Sequence, residues 1–220
     1  GGLAVMCRVG SPHRTTVDLD AVARDLEGLH ESIAGLAVTS SGGGQYRFAG
    51  DMDLDVIDVA PVPTAELVAE LDAAGGELSD LELNVVSLTW AHDTATPLDV
   101  VAIDELNGEP LAKAPGRLVA TISGLVAMKS TAIPLRASTR PEKRASDLYD
   151  MARLLLLGGP EGASLTDMPT MLSGTVGRRL DGWFVDDAGR DRTFRDIRRF
   201  DEPSVDLDDV ADAVEDLFGA

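Results

Sequence analysis

Apolar positions change their spacing about halfway along the chain, from strand-like alternation to helical recurrence. Leu3 to Arg8 is an apolar run behind two glycines and predicts a short helix opening beside Gly1 and Gly2, while Ser11-Pro12-His13 reads as a turn. Thr15 to Asp20 alternates as T-T-V-D-L-D, which puts Val17 and Leu19 on one face of a strand and Asp18 and Asp20 side by side on the other. From Asp20 to Leu36 the apolar residues Val22, Leu26, Leu29, Ile33 and Leu36 recur at helical spacing and predict a helix. Gly42-Gly43-Gly44 then breaks the chain ahead of a strand over Tyr46 to Phe48. Met52 to Val59 reads M-D-L-D-V-I-D-V and predicts a further strand, with Asp53 and Asp55 on the face opposite Leu54 and Val56.

Pro63 to Ala74 fits a short helix ended by Gly75-Gly76. Leu81 to Leu88 and Leu98 to Ile103 read as strands between polar turns. Beyond Ile122 the pattern is helical, over Ile122 to Ile133, Glu142 to Leu157, a piece around Leu165 to Leu172, and Val205 to Phe218. The expected fold is therefore α+β: a mixed sheet with flanking helices over residues 1–110, followed by a mainly helical region over residues 111–220. No internal repeat or long low-complexity tract interrupts this plan.

Composition narrows the compartment and the partners. A hydrophobic content of 44% over 220 residues is enough for one sizeable core or two small lobes. No apolar run approaches the length of a membrane span and nothing resembles a signal peptide, so the expected location is the cytoplasm, with no membrane association. The single cysteine, Cys7, has no partner thiol and is expected simply to pack. A net charge of −19, from 38 acids against 19 bases, disfavours broad electrostatic adhesion to nucleic acid or anionic lipid, and no DNA partner is expected. Two basic clusters stand against that average: seven arginines between Arg178 and Arg199, and Arg136, Arg140, Lys143 and Arg144. Each reads as a solvated face or as an electropositive rim on an otherwise acidic molecule.

In so acidic a chain, acidic-x-acidic triplets arise by chance roughly six times on residue frequencies alone, so a D-x-D pair is informative only through its context. Here the context is a double glycine opening a short helix, a turn containing Gly10 and Arg14, the strand bearing Asp18 and Asp20, and a later strand supplying Asp53 or Asp55. Three carboxylates converging from adjacent strands repel one another unless a divalent cation sits between them, and an all-oxygen set suits Mg2+ or Mn2+. His13, His30 and His92 show no metal-ligand spacing.

The order Gly-Gly, short helix, Arg14-x-Thr16-x-Asp18-x-Asp20 resembles the first motif of the polymerase-beta-like nucleotidyltransferases, and within them the AbiEii/AbiGii toxin branch that includes the MenT-type toxins. A second stretch, Gly124-Leu125-Val126-Ala127-Met128-Lys129 followed by Arg136 and Arg144-x-x-Asp147-x-x-Asp150, is similar to that branch's lysine helix and its basic-Asp-x-x-Asp helix. The resemblance covers residues 1–157.

The resemblance implies a metal-dependent enzyme that moves a nucleoside monophosphate from an NTP to an acceptor hydroxyl, most often the tRNA 3′ end, and that has a cognate antitoxin. Asp18 and Asp20 would hold the metal, with Asp55 as third carboxylate and Asp53 as its alternative. Gly1 and Gly2, with Arg14 and Thr16, would bind the nucleotide at a helix N-terminus, and Lys129 would reach its β- or γ-phosphate. Asp147 and Asp150 would position Lys129 or the nucleotide, and the C-terminal half would complete the nucleotide and acceptor cleft. The family pattern also implies a strand ahead of the double glycine, which would precede Gly1.

Two further readings stay open: nucleotidyl transfer to a small molecule or a protein, and a nucleotide-binding regulator or antitoxin-like protein without turnover. In bland terms, Asp18 and Asp20 are an exposed strand face, Lys129 is a snorkelling surface lysine, and Asp147 and Asp150 are the solvated side of a helix.

Overall fold

The chain opens with helix α1 (Gly2–Val9), because the apolar run behind the double glycine buries Val5 completely. In this computed structural model, residues 1–11, 18–50, 52–104, 106–136, 140–157, 167–200 and 204–218 are described, and the side chains of Asp18, Ser41 and Phe218 lie outside that description. Strand β1 (Asp18–Ala23) follows, then α2 (Leu26–Ala34), β2 (Thr39–Gly42), β3 (Gln45–Phe48) and β4 (Met52–Asp58). These four strands form a mixed sheet in the order β1-β4-β3-β2, with β1 parallel to β4 and the other two pairings antiparallel. Gly43 and Gly44 both have positive φ, as the tight β2–β3 turn demands, and a Cβ on Gly44 would meet the Val56 carbonyl oxygen at 2.2 Å.

Val22 belongs to β1, so the predicted helix from Asp20 starts instead at Leu26, where Asp25 caps it by accepting from the Gly28 amide. Helix α3 (Thr64–Ala74) sits where its flanking Pro63 and Gly75 place it. The strand expected over Leu81 to Leu88 is part of helix α4 (Asp80–Asp93). Ser79 and Glu82 form a reciprocal capping box that fixes its start, and every residue from Val86 to Ala91 is buried, which erases the amphipathic period that would have shown a helix.

A separate hairpin of β5 (Thr96–Ile103) and β6 (Pro110–Val119) follows, with side chains exposed or half-buried along almost its whole length. Arg8, at the end of α1, grips its base through the Ala120 and Val119 carbonyls and the Thr96 hydroxyl. Helix α5 (Ile122–Arg136) packs against α4 so closely that a Cβ on Gly124 would lie 3.2 Å from the Ala91 Cα. Helix α6 (Pro141–Leu157) packs on α5, then come α7 (Thr170–Leu180), a π-helical turn at Asp181–Val185, α8 (Asp187–Ile197) and α9 (Leu207–Phe218). The helix expected around Leu165 to Leu172 is thus α7, displaced toward the C-terminus, and its predicted start lies partly outside the described residues.

One continuous core runs from Val5 through Leu83 and Val86 of α4, Leu125 of α5 and Leu148 of α6 to Phe184, Val210 and Val214 near the C-terminus. Several of the clustered arginines tie helices together here. Arg144 pairs with Asp196, Arg190 with Asp208, and Arg179 with Asp80, while Arg199 donates to the Glu142 carbonyl at 2.7 Å. No helix among the described residues is long and apolar enough to cross a membrane.

Candidate active site

The N-terminus of α1, the middle of β1, and the facing stripes of α4, α5 and α6 meet around a cavity of about 150 Å³. Gly1, Gly2, Asp20, Lys129 and Asp147 line it together with Asn84, Leu88, Leu125, Met128, Arg136, Lys143 and Ser146. The Gly1 nitrogen lies 3.7 Å from Asp20 Oδ2, and a Cβ built on Gly1 would fall 1.7 Å from the same oxygen, so only glycine lets the carboxylate approach the helix this closely. Gly1 is the N-cap of α1 and makes no side-chain cap bond, leaving first-turn amides directed at the cavity without intrahelical acceptors.

Lys129 is the electrostatic centre. Its Nζ donates to Asp147 Oδ1 at 2.8 Å and stands 2.7 Å from Asp150 Oδ2, with Lys129 itself 7% exposed and Asp150 fully buried. Arg136 Nη1 donates to the other Asp147 oxygen, also at 2.8 Å. Lys129 is thus no snorkelling surface residue, and Asp147 and Asp150 are not a solvated face. Burial by itself would lower the Lys129 pKa, but the adjacent charges of Asp147 and Asp150 and their hydrogen bonds outweigh it and raise the ammonium above its ordinary value. Burial would likewise raise Asp147, yet Lys129 and Arg136 hold it below the usual carboxylate range. The quartet of two cations and two anions is close to neutral, and one Lys129 donor is left for the cavity among the described contacts.

The sheet brings the carboxylates together by register. Asp20 lies directly beside Asp55, and Asp18 beside Asp53, on neighbouring parallel strands. Opposite residues of a ladder share a face, so Asp20, Asp53 and Asp55 belong to the same side of the sheet, on strands about 5 Å apart. Arg47, across the ladder on β3, takes Asp53 with two hydrogen bonds of 2.7 and 2.9 Å. Among the described residues no group of three or more His, Cys, Asp or Glu side chains is poised to hold a metal. The Asp18 carboxylate is not among them, and with it the set of Asp18, Asp20 and Asp55 is the all-oxygen donor chemistry that Mg2+ or Mn2+ takes. Arg14 and Thr16 lie outside the described residues.

The remaining polar and apolar wall residues differ in how far the sequence announces them, Arg136 standing in the second motif and both Arg136 and Lys143 in a basic cluster. Arg136 falls seven residues after Lys129 on the same helical stripe, and Lys143 four before Asp147, so helical spacing marks both. Asn84 and Leu88 come from the helix that reads as a strand, and no signal marks them.

Comparison with curated proteins and with solved structures returns no match. A family model described as "Nucleotidyl transferase AbiEii toxin, Type IV TA system" matches residues 1–218, extending past the 157 residues of the sequence resemblance to include the C-terminal helices. With the double glycine, the sheet aspartates and the buried lysine all inside that match, the chain belongs to the AbiEii nucleotidyltransferase toxins of type IV toxin–antitoxin systems.

Proposed function

We propose that the protein is a metal-dependent toxin that transfers a nucleoside monophosphate from an NTP to the 3′-terminal hydroxyl of tRNA. The observation that carries this reading is the convergence of the α1 N-terminus, Asp20 and the buried Lys129 on one cavity. Residues 1–110 contribute the sheet carboxylates, and residues 111–220 bring the lysine helix and complete the nucleotide and acceptor cleft. Asp18, Asp20 and Asp55 would hold Mg2+ or Mn2+, which supplies charge neutralisation at the triphosphate when bound. Asp55 suits this better than Asp53, which Arg47 engages.

The first-turn amides at Gly1 and Gly2, with Arg14 and Thr16 nearby in sequence, bind phosphate oxygens, and Lys129 meets the β- or γ-phosphate as a charge whose position Asp147 and Asp150 fix. The acceptor oxygen forms a bond to the α-phosphorus in line with the bond that breaks, between that phosphorus and the α,β-bridging oxygen. Pyrophosphate leaves with the electron pair, and the hydroxyl proton passes to the Asp55 carboxylate. The family also implies a cognate antitoxin.

The test is incubation of the chain with each labelled NTP, Mg2+ and total tRNA. Transfer to RNA is expected and should be lost in Asp20→Asn. Transfer only to a small molecule or to protein moves the acceptor, a reading favoured by the −19 charge. No transfer to anything, with growth inhibition intact in Asp20→Asn, makes the protein a non-catalytic nucleotide binder.

A further inference from the structure

The β5–β6 hairpin contributes almost nothing to the core, Val119 being its one buried residue. Its strands pair only with each other among the described residues, and a two-stranded sheet solvated on both faces is marginal in water without a further layer. Arg8 fixes the base through the Thr96 hydroxyl at 2.7 Å and the Ala120 carbonyl at 2.8 Å, so the hairpin stands in a set position on the body.

The pairing register sorts its side chains onto two faces. Pro97 lies opposite Leu118, Val101 opposite Lys113, and Ile103 opposite Pro110, with Leu111 as the extra residue of a bulge. Alternation along β5 adds Asp99 to this face. Four large apolar side chains here are left to solvent: Leu118 is 73% exposed, Leu111 69%, Ile103 50% and Val101 44%. The other face carries Leu98, Val100 and Ala114, all half-buried, with the small Ala102 and Ala112. Exposed apolar surface is thus gathered on one side of the hairpin, as at an interaction site, and not scattered singly.

The described charges on that bare face are one acid and one base. Asp99 Oδ2 and Lys113 Nζ pair at 3.0 Å across the strands, and both side chains remain more than half exposed. A two-fold axis running along the hairpin lays β5 of one copy over β6 of another. That arrangement brings the acid of each copy to the base of the other and sets Ile103 over Leu111. The face is complementary to itself, and it offers no net charge for a basic peptide, a nucleic acid or an anionic lipid surface to read.

We propose that this face is the contact through which two copies of the chain associate as a closed two-fold dimer. A hairpin about 30 Å long and about 10 Å wide gives a footprint of roughly 300 Å² per copy. That is below the roughly 800 Å² per partner of a standard interface, so the dimer is a reversible one, half formed at roughly 10–100 µM chain. The net charge of −19 acts against it, but physiological salt screens charges more than about 8 Å apart.

The experiment is sedimentation velocity on the full chain from about 1 to about 300 µM in about 0.15 M salt. The weight-average mass should rise from 23.2 kDa toward twice that value. Val101→Glu and Leu111→Glu, both at exposed positions and checked by thermal melting, should each weaken association at least about tenfold. Asp99→Lys and Lys113→Asp should each do the same alone. An equimolar mixture of those two variants should associate at least as strongly as the wild type, since each copy then supplies the charges the other lacks; a purely intrachain role for the pair leaves the mixture as weak as its components. A mass that stays at one chain throughout, apolar-face variants that dimerise like the wild type, a mixture no stronger than its parts, or growth beyond the dimer into open-ended assemblies would each overturn the proposal.

Discussion

Replacing Lys129 by methionine keeps the length and apolar stem of the side chain and removes one charge from a cluster in which Lys129, Asp147 and Asp150 are buried and Arg136 is partly exposed. Arg136 still accompanies Asp147, so the burden falls on Asp150, which is fully buried 2.7 Å from where the ammonium stood. Breaking a buried ion pair by removing one partner costs up to about 3–5 kcal/mol while the carboxylate stays ionised. Protonation offers an escape whose cost rises by about 1.4 kcal/mol for each pH unit above the ordinary aspartate pKa near 3.9. The ceiling is therefore about 2 kcal/mol at pH 5.5 and about 5–6 kcal/mol at pH 8. In the wild type the same interval is flat for Lys129, because its raised pKa contributes stability below the unfolded value near 10.5 and loses it only above that. For a chain of this size the expected drop in Tm is roughly 6–20 °C at pH 8 and distinctly less at pH 5.5. Circular-dichroism melts at the two pH values, both above the isoelectric point of about 4.3, read the difference. Adding Asp150→Asn to the variant should remove most of the pH dependence. A drop of under 3 °C at pH 8, or equal drops at both pH values, would refute the charge balance described for this site.

Asp93 gathers the Arg24 guanidinium, His92, and the Thr64 amide and hydroxyl where β1, α3 and α4 meet. Burial opposes its ionisation, but these partners bring its pKa down to about 2 from 3.8, so the stability it contributes is present above pH 4 and lost as pH falls through 2. Asp93→Asn should cost roughly 1 kcal/mol at pH 7 after allowance for solvent screening, and urea melts at pH 7 and pH 3 should show the gap narrowing at the lower value. Gly1→Ala places a methyl group against Asp20, forcing that carboxylate aside. Nucleotidyl transfer should fall about a hundredfold while Tm changes by under about 2 °C, and transfer at the wild-type rate would show that Asp20 need not approach the helix so closely.

Much of the sheet was legible because its signal is local. Alternation over M-D-L-D-V-I-D-V places Val56 inward and the aspartates opposite, which is what β4 does. The double glycine, the Asp18-x-Asp20 pair, Lys129 and the Asp147–Asp150 helix were each visible in order, although the contact among the last three needed α5 and α6 to be packed side by side. The rest was hidden for reasons that differ. Helix α4 carries V-V-S-L-T-W, residues that favour strands locally, and tertiary burial on nearly all sides overrides that preference. Strand β6 escaped because a hairpin solvated on both faces has no burial alternation to display. Helix α8 is dominated by Arg and Asp, with only Thr193 and Ile197 buried, too thin a stripe to register as a period. The pairing of Arg47 with Asp53, on which the proposed preference for Asp55 rests, joins cross-strand neighbours whose register no local pattern reveals.

The same packing explains how a chain of charge −19 can receive a triphosphate. At about 10 Å the screening of physiological salt removes most of the repulsion from distant surface carboxylates, whereas groups at the cavity act at contact and in lower dielectric. What matters is therefore the local sum, and around the cavity Lys129 and Arg136 balance Asp147 and Asp150, Lys143 offsets Asp20, and the α1 N-terminus adds partial positive charge. The buried aspartates do not oppose the phosphate. They hold the ammonium rigid and protonated, at the cost of two neutralised charges, so that binding an anion there requires no reorganisation of the lysine. On the proposed reading the remaining attraction would come from a metal held by the sheet carboxylates, so that the site's affinity for a triphosphate would depend on Asp18, Asp20 and Asp55 even though those residues are themselves negative.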